Sequence, residues 1–332
     1  MTSDSQTSTN NSPTDSAQIQ LDPELTLALA QASIAAYDDY EGKSFTPPPN
    51  YRFVARFTGW DQWIGEFGEE EKFGLAFFYY GPPRRMIVAF RGTDSVSDMF
   101  EDAFWESATF QPYRNSVSPA ADDVCSGFNG IYSSRGGSMT ASLQQQVFNL
   151  LPAQVSEVYI TGHSLGAALS QLFTLDMRVS SPAAPITTIN FASPKVGGQD
   201  WQSACDAAGA TSAITRVINH YDWVPDFPQA IFDWWDNYVS IGAEFQTAFY
   251  GQNWPFDESA CHSLLNLRTV LSHCLWLNPQ VWTGTFWDAT NPSYEMYSVP
   301  PPATAKDELI GKLKELRALR PKPLERGKAA GH

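Results

Sequence analysis

Residues 158–168 read Val158-Tyr159-Ile160-Thr161-Gly162-His163-Ser164-Leu165-Gly166-Ala167-Ala168, and this stretch decides the fold. An apolar, β-prone run leads into Gly-His-Ser-Leu-Gly, and a run of small residues that can open a helix follows. The pattern G-x-S-x-G carries little weight alone. Between a strand and a helix it describes a sharp turn that lifts a serine above the end of a sheet. The glycines on either side are needed because a Cβ there would strike the neighbouring strand or helix. Ser164 is therefore a candidate nucleophile; the competing reading is a Gly-Ser turn without chemistry.

Outward from this turn, strands and helices alternate. The patterning predicts a helix over 25–40, strands over 73–80 and 85–90 with Pro82-Pro83 turning between them, and a helix over 140–151 stopped at Pro152. It then predicts a strand over 158–161, a helix over 165–179, and strands over 186–192 and 213–219. Such alternation gives a layered α/β fold with a mostly parallel central sheet flanked by helices. In such sheets ligands bind at the carboxyl ends of the strands.

The chain has 332 residues, 43% hydrophobic, enough for one large core. Its formal charge of -15 is uneven: residues 303–332 carry +4 and the rest carries -19. An acidic body of this kind repels nucleic acid and anionic membranes at long range, and it favours a neutral substrate. Three parts are expected: a disordered polar leader over 1–18, a single domain over 19–302, and a basic tail over 303–332. The leader lacks the basic and apolar regions of a secretory signal, and no apolar run reaches the roughly 18 residues of a membrane span. Within the tail, residues 306–320 are amphipathic and suit packing on the acidic body or a partner better than contact with a membrane. The four cysteines, Cys125, Cys205, Cys261 and Cys274, are too few for a disulfide scaffold. Were Cys261 and Cys274 on one helix they would stand about 20 Å apart, too far to bridge. Reduced thiols in a cytoplasmic protein are expected, with a secreted form as the alternative. Oligomeric state is left open.

A serine hydroxyl needs a base to take its proton, and that base is usually a histidine oriented by a buried carboxylate. In this architecture the chain order is serine, acid, histidine. Asp222 lies just past the predicted strand 213–219 and is the candidate acid, with Asp226 as the alternative. Of the five histidines, His163 precedes the serine, His332 ends the tail, and His220 is read as structural. His262, at a loop leading into an apolar helix start, is preferred as base over His273. The oxyanion of an acyl-transfer intermediate needs preorganised donors. The backbone N–H of Leu165 is one; Thr93, on the turn after the strand Ile87-Val88-Ala89-Phe90, is the other. None of this chemistry calls for a cofactor or a metal.

These residues resemble the class 3 lipases, the fungal triacylglycerol lipase-like group. Ser33-Ile34-Ala35-Ala36-Tyr37, Phe90-Arg91-Gly92-Thr93, the turn at 162–166, Ser193-Pro194-Lys195-Val196-Gly197 and the stretch 216–225 occur in that family's order. Tyr238-Val239-Ser240-Ile241-Gly242-Ala243-Glu244-Phe245 is similar to a strand the family places between acid and base. The resemblance implies an α/β-hydrolase fold and carboxylester hydrolysis. It implies Ser164, Asp222 and His262 as the triad, Thr93 and Leu165 as oxyanion donors, and a lid helix over 95–102. The chain departs from the family at Met99, where a Trp is common, and at Val124-Cys125-Ser126-Gly127-Phe128, where a His is common. The aromatic-rich segment 227–256 suits either an acyl groove or core. The function expected is a serine carboxylester hydrolase, a triacylglycerol lipase acting on lipid esters at an oil–water interface. Phospholipase A1, feruloyl or aryl esterase and acyl transfer are the alternatives within the fold. A non-catalytic binding protein on a hydrolase scaffold is the alternative outside it.

Overall fold

The computed structural model describes residues 19–61, 68–93, 106–151, 155–181, 183–228, 237–253 and 258–298. In chain order they form α1 (Pro23–Tyr40), β1 (Arg52–Asp61), β2 (Glu69–Tyr79), β3 (Arg85–Phe90), β4 (Ser107–Ala108), β5 (Val124–Cys125), α2 (Ser126–Ser133), α3 (Leu143–Leu150) and β6 (Glu157–Gly162). The second half continues with α4 (Leu165–Ser180), β7 (Ile186–Phe191), α5 (Gln199–Ala207), β8 (Ile214–Asn219), β9 (Ala243–Thr247), β10 (Tyr250–Gly251), α6 (Glu258–His262), α7 (Leu264–Cys274), β11 (Thr285–Trp287) and β12 (Glu295–Tyr297).

One sheet organises the molecule, in the order β1-β2-β3-β6-β7-β8-β9. The β1–β2 and β2–β3 pairs are antiparallel; from β3 through β9 every pair is parallel. Parallel neighbours need crossovers, which α4 and α5 supply between β6, β7 and β8. The two-residue period of a strand divides the core. Met86, Val88 and Phe90 of β3 enter the cluster that holds α2, α3 and α4, while Ile87 and Ala89 enter the one that holds α1 and α7. The expected α/β-hydrolase sheet with helices on both faces is what forms. Among the described residues no helix is long and apolar enough to cross a membrane.

Helix α4 is buried on all sides: 14 of its residues are inaccessible or nearly so. Its polar groups are accordingly paired within the protein. The Asp176 carboxylate accepts from Tyr113 N, Ser180 Oγ, Tyr132 Oη and Gln144 Nε2, at 2.8, 2.7, 2.9 and 2.6 Å. It thereby ties α4 to α2, to α3 and to the loop before β5. Burial nevertheless raises its pKa above the usual carboxylate range, against the lowering effect of those four bonds.

Several expectations shift. The helix predicted over 140–151 begins only at Leu143, because Ser142 caps it: the Ser142 side chain accepts from Gln145 N and the Gln145 side chain accepts from Ser142 N. The strand placed at 238–245 by resemblance is displaced to β9, since Gly242 adopts φ 84° and interrupts it, leaving Val239 in an isolated bridge to Gly197. Cys261 and Cys274 do not share a helix; Ser263 caps a new one between them. All four cysteines are buried and free. Strand β1 is not evident from the sequence, because shifts at Phe53/Ala55 and Phe57/Thr58 break its two-residue alternation. The expected leader, lid and tail (1–18, 95–102 and 303–332) lie outside the described residues.

Candidate active site

Ser164 stands between β6 and α4 as the helix N-cap, with φ 56° and ψ −127°. For a residue with a Cβ this backbone costs of order 1–3 kcal/mol and persists only where packing over-determines it. That packing is visible at the flanking glycines. A Cβ on Gly162 would lie 2.1 Å from Gly166 O, and one on Gly166 would lie 2.3 Å from Phe90 O. The turn is closed by Gly166 N and Ala167 N, which donate to His163 O and Ser164 O at 2.9 Å each. Ser164 is 0% exposed, and its Oγ has no hydrogen-bond partner among the described residues.

Asp222 follows β8 at its carboxyl end. Its Oδ2 lies 2.7 Å from His262 Nδ1, and its Oδ1 accepts from Val224 N at 3.0 Å. Asp222 and His262 are 1% and 6% exposed. A carboxylate only accepts, so the Nδ1 of neutral His262 carries the proton and its Nε2 presents a lone pair. That Nε2 is also buried without a partner among the described residues.

His163, set aside in the sequence as preceding the serine, joins the two parts. Its ring centroid is 4.5 Å from that of His262, and its Nε2 lies 2.8 Å from His262 O. A backbone carbonyl only accepts, so His163 Nε2 is the protonated nitrogen. Nδ1 then accepts from the Tyr37 hydroxyl at 2.9 Å. Burial, reinforced by the positive charge His262 can acquire, holds the His163 pKa well below its ordinary value and keeps the ring neutral. Tyr37 ends the Ser33-Ile34-Ala35-Ala36-Tyr37 run whose spacing signalled only a helix.

The short helix α6 that delivers His262 is gripped at its carbonyls. Ala260 O accepts from Asn266 Nδ2 at 3.1 Å, Cys261 O from Asn219 Nδ2 at 3.0 Å, and His262 O from His163 as above. Orphan carbonyls at a helix end are satisfied here by side chains from α7, β8 and the Ser164 turn. Patterning gives neither Asn219 nor Asn266 a role: Asn219 ends the strand in the 216–225 stretch and Asn266 sits among leucines.

The Gly92-Thr93 turn after β3 lies against the serine: a Cβ on Gly92 would come within 2.9 Å of Ser164 Cβ. Thr93, half-buried, and Leu165, 1% exposed, thus flank Ser164 from two elements. The Ser193–Gly197 run follows the carboxyl end of β7, with Lys195 N donating to Phe227 O at 3.1 Å. The alternatives sit elsewhere. His273 stacks on Trp282 with centroids 5.1 Å apart, His220 Nδ1 meets Gln246 Nε2 at 3.3 Å, and Asp226 ends the 3-10 turn Val224–Asp226. Of the aromatic segment, Tyr238, Phe245 and Phe249 belong to the core, whereas Trp234, Trp235, Trp254 and Phe256 lie outside the described residues.

Comparison with known proteins follows this geometry. The family model described as Lipase (class 3) matches residues 87–232. Phospholipase A1-II 3 of Oryza sativa subsp. japonica is 32% identical over 229 residues, covering 60% of this chain and 50% of the relative. The chloroplastic phospholipase A(1) DAD1 of Arabidopsis thaliana is 28% identical over 161 residues, covering 45% of this chain and 35% of the relative. The chain thus spans half or less of the length of these curated relatives. The nonglycosylated LIP2 lipase of Yarrowia lipolytica superposes with a TM-score of 0.50 at 19% identity, over 69% of this chain and 81% of that one, a likeness of fold. Residues 87–232, which carry β3, the serine turn and the Asp222 loop, are thus the part of the chain that is similar to the class 3 lipases.

Proposed function

We propose that the protein is a serine carboxylester hydrolase acting on lipid esters, with Ser164 as nucleophile, His262 as base and Asp222 as its orienting acid. The observation that carries this reading is the buried Asp222–His262 hydrogen bond, which turns an unpartnered Nε2 lone pair out beside the strained turn bearing an unpartnered Ser164 Oγ. His262 Nε2 takes the proton of Ser164 as Oγ attacks the ester carbonyl carbon. The resulting oxyanion accepts from Leu165 N–H, at the positive end of the α4 dipole, and from Thr93 N–H. His262 then gives its proton to the departing alcohol, leaving an acyl-serine. Water attacks the acyl carbon while His262 takes its proton; His262 then returns that proton to Ser164 Oγ as the Oγ–acyl bond breaks and the carboxylic acid leaves.

Triacylglycerol is the leading substrate, on the motif order of the class 3 lipases and on the acidic body, which favours an uncharged ester. A second reading, phospholipase A1, draws on the rice and Arabidopsis relatives, whose names carry that activity. Four free buried thiols fit a reducing compartment. The deciding experiment measures fatty-acid release from tributyrin and triolein emulsions and from phosphatidylcholine vesicles, with Ser164→Ala and His262→Ala beside the wild type. Each substitution is expected to lower kcat by about 10⁴-fold or more on every substrate. Full activity in Ser164→Ala overturns the mechanism. Faster turnover of phosphatidylcholine than of either triacylglycerol selects the second reading.

A further inference from the structure

Arg91 follows β3 directly and is 2% exposed. Its guanidinium lies 3.7 Å from the ring centre of Tyr40 and 4.4 Å from that of Phe73. Its donors go in three directions. Nε donates to Lys72 O at 2.6 Å, Nη2 pairs with Glu71, and Nη1 donates to Gly92 O at 2.7 Å. Lys72 and Glu71 belong to β2, so the side chain ties the Gly92 turn to the sheet. A buried ion pair is weak evidence of a purely stabilising role, because apolar packing of similar volume often does as well. The bond to Gly92 O points to something more specific.

Position 92 has room only for glycine, since a Cβ there would lie 2.7 Å from the backbone oxygen of His163. Glycine leaves the ψ of that residue, and with it the next peptide plane, poorly fixed by local sterics. That plane contains both Gly92 O and Thr93 N–H, which point in opposite directions across a rigid trans peptide. Holding the oxygen therefore aims the N–H. We infer that Arg91 is a positioning residue for the oxyanion site: by anchoring Gly92 O to β2, its guanidinium fixes the direction of the Thr93 N–H donor. This rests on the hydrolase reading above and adds to it a side chain that touches neither substrate nor the reacting atoms.

The test compares Arg91→Lys with wild type on a soluble nitrophenyl ester and in binding of an alkylboronic acid, whose tetrahedral adduct with Ser164 presents an oxygen to the oxyanion donors. A lysine keeps the charge, but its three donors radiate from one nitrogen and cannot span acceptors set around the edges of a planar guanidinium. The expected result is a fall in kcat of about tenfold or more, with KM within about twofold and boronate affinity weakened in proportion. Glu71→Gln keeps an acceptor for Nη2 and leaves the Gly92 bond intact, so its kcat stays within about twofold. Should Arg91→Lys not fold, Tyr40→Leu removes one wall of the guanidinium slot while leaving every acceptor in place, and is expected to lower kcat and boronate affinity about threefold each. Three results overturn the inference: boronate affinity unchanged in Arg91→Lys, or in Tyr40→Leu where that is the variant read; loss through KM alone; or Glu71→Gln as damaging as Arg91→Lys. Full activity in Ser164→Ala would instead remove the hydrolase reading itself. An inactive Ser164→Ala beside an unaffected Arg91→Lys removes only the role of Arg91.

Discussion

Asp222→Asn tests the centre of the proposed mechanism without changing the volume of a buried side chain. Asp222 accepts two hydrogen bonds, from His262 Nδ1 and from Val224 N. Asparagine offers one acceptor and one NH2 in their place. If the amide oxygen faces Val224 N–H, that backbone donor stays satisfied, but NH2 then faces Nδ1. His262 must accept there and carry its proton on Nε2, where it cannot act as base. If the amide flips, the productive tautomer survives, but NH2 opposes a buried backbone N–H at a cost of about 1–3 kcal/mol. Catalysis through this minor arrangement also loses the charge-assisted bond to the imidazolium formed during reaction, about 1.5–3 kcal/mol. Together these amount to roughly 3–6 kcal/mol, or a kcat lowered by about 10²–10⁴-fold. KM should stay within about threefold, because Asp222 does not contact substrate. Steady-state hydrolysis of nitrophenyl butyrate reads both constants, with circular dichroism to establish that the variant is folded. A folded variant with kcat within tenfold of wild type, or one whose whole loss lies in KM, would refute the assignment.

Two further outcomes follow from buried titratable groups. His163 has a folded-state pKa well below its unfolded value of about 6.5, so between the two the unfolded chain binds the extra proton. Stability is then complete above about pH 7 and falls as pH drops through 6.5, by up to about 1.4 kcal/mol per pH unit for this one group. In urea titrations from pH 7.5 to 5, His163→Gln should show a shallower loss than wild type; an identical slope would show that the ring is not held neutral. Asp176→Asn sets an NH2 against two of the four donors that converge on the carboxylate, and should cost about 2–4 kcal/mol in the same titrations. Its kcat per folded molecule should not change; a variant as stable as wild type would count against Asp176 as the tie between α2, α3 and α4.

The sheet from β3 to β8 was legible because its strands are apolar runs bounded by Gly, Pro and Asp, and because one turn motif fixed the register of strand and helix around Ser164. Asp222 was legible for a similar reason: it stands at the end of a recognisable strand. The base was harder to read. Residues 258–274 form two helices broken by a serine cap, and patterning preferred His262 while leaving His273 as the alternative; in the structure His262 Nδ1 meets Asp222 whereas His273 stacks on Trp282. Strand β1 was hidden by its irregular register, and the displacement of β9 by a single positive-φ glycine. Tyr37, His163, Asn219 and Asn266 were invisible as site residues because their partners are backbone groups or one another. A sequence motif records which side chains are present; it does not record which carbonyls they close.

The three gripped carbonyls of α6 bear on how the protein loses activity. His262 is presented by a five-residue helix too short to hold itself together in water, and each of its last three residues leans on a different part of the fold. Opening of this one segment parts these three carbonyl bonds, the Asp222–His262 bond and the local packing of α6, far fewer interactions than unfolding of the sheet. Amide exchange around 258–262 should then report a sub-global opening that precedes melting. Heat or mild denaturant should silence the protein while β3, β6, β7 and β8 are still folded, and activity should return on cooling at the rate of a local reclosure, not of whole-chain refolding.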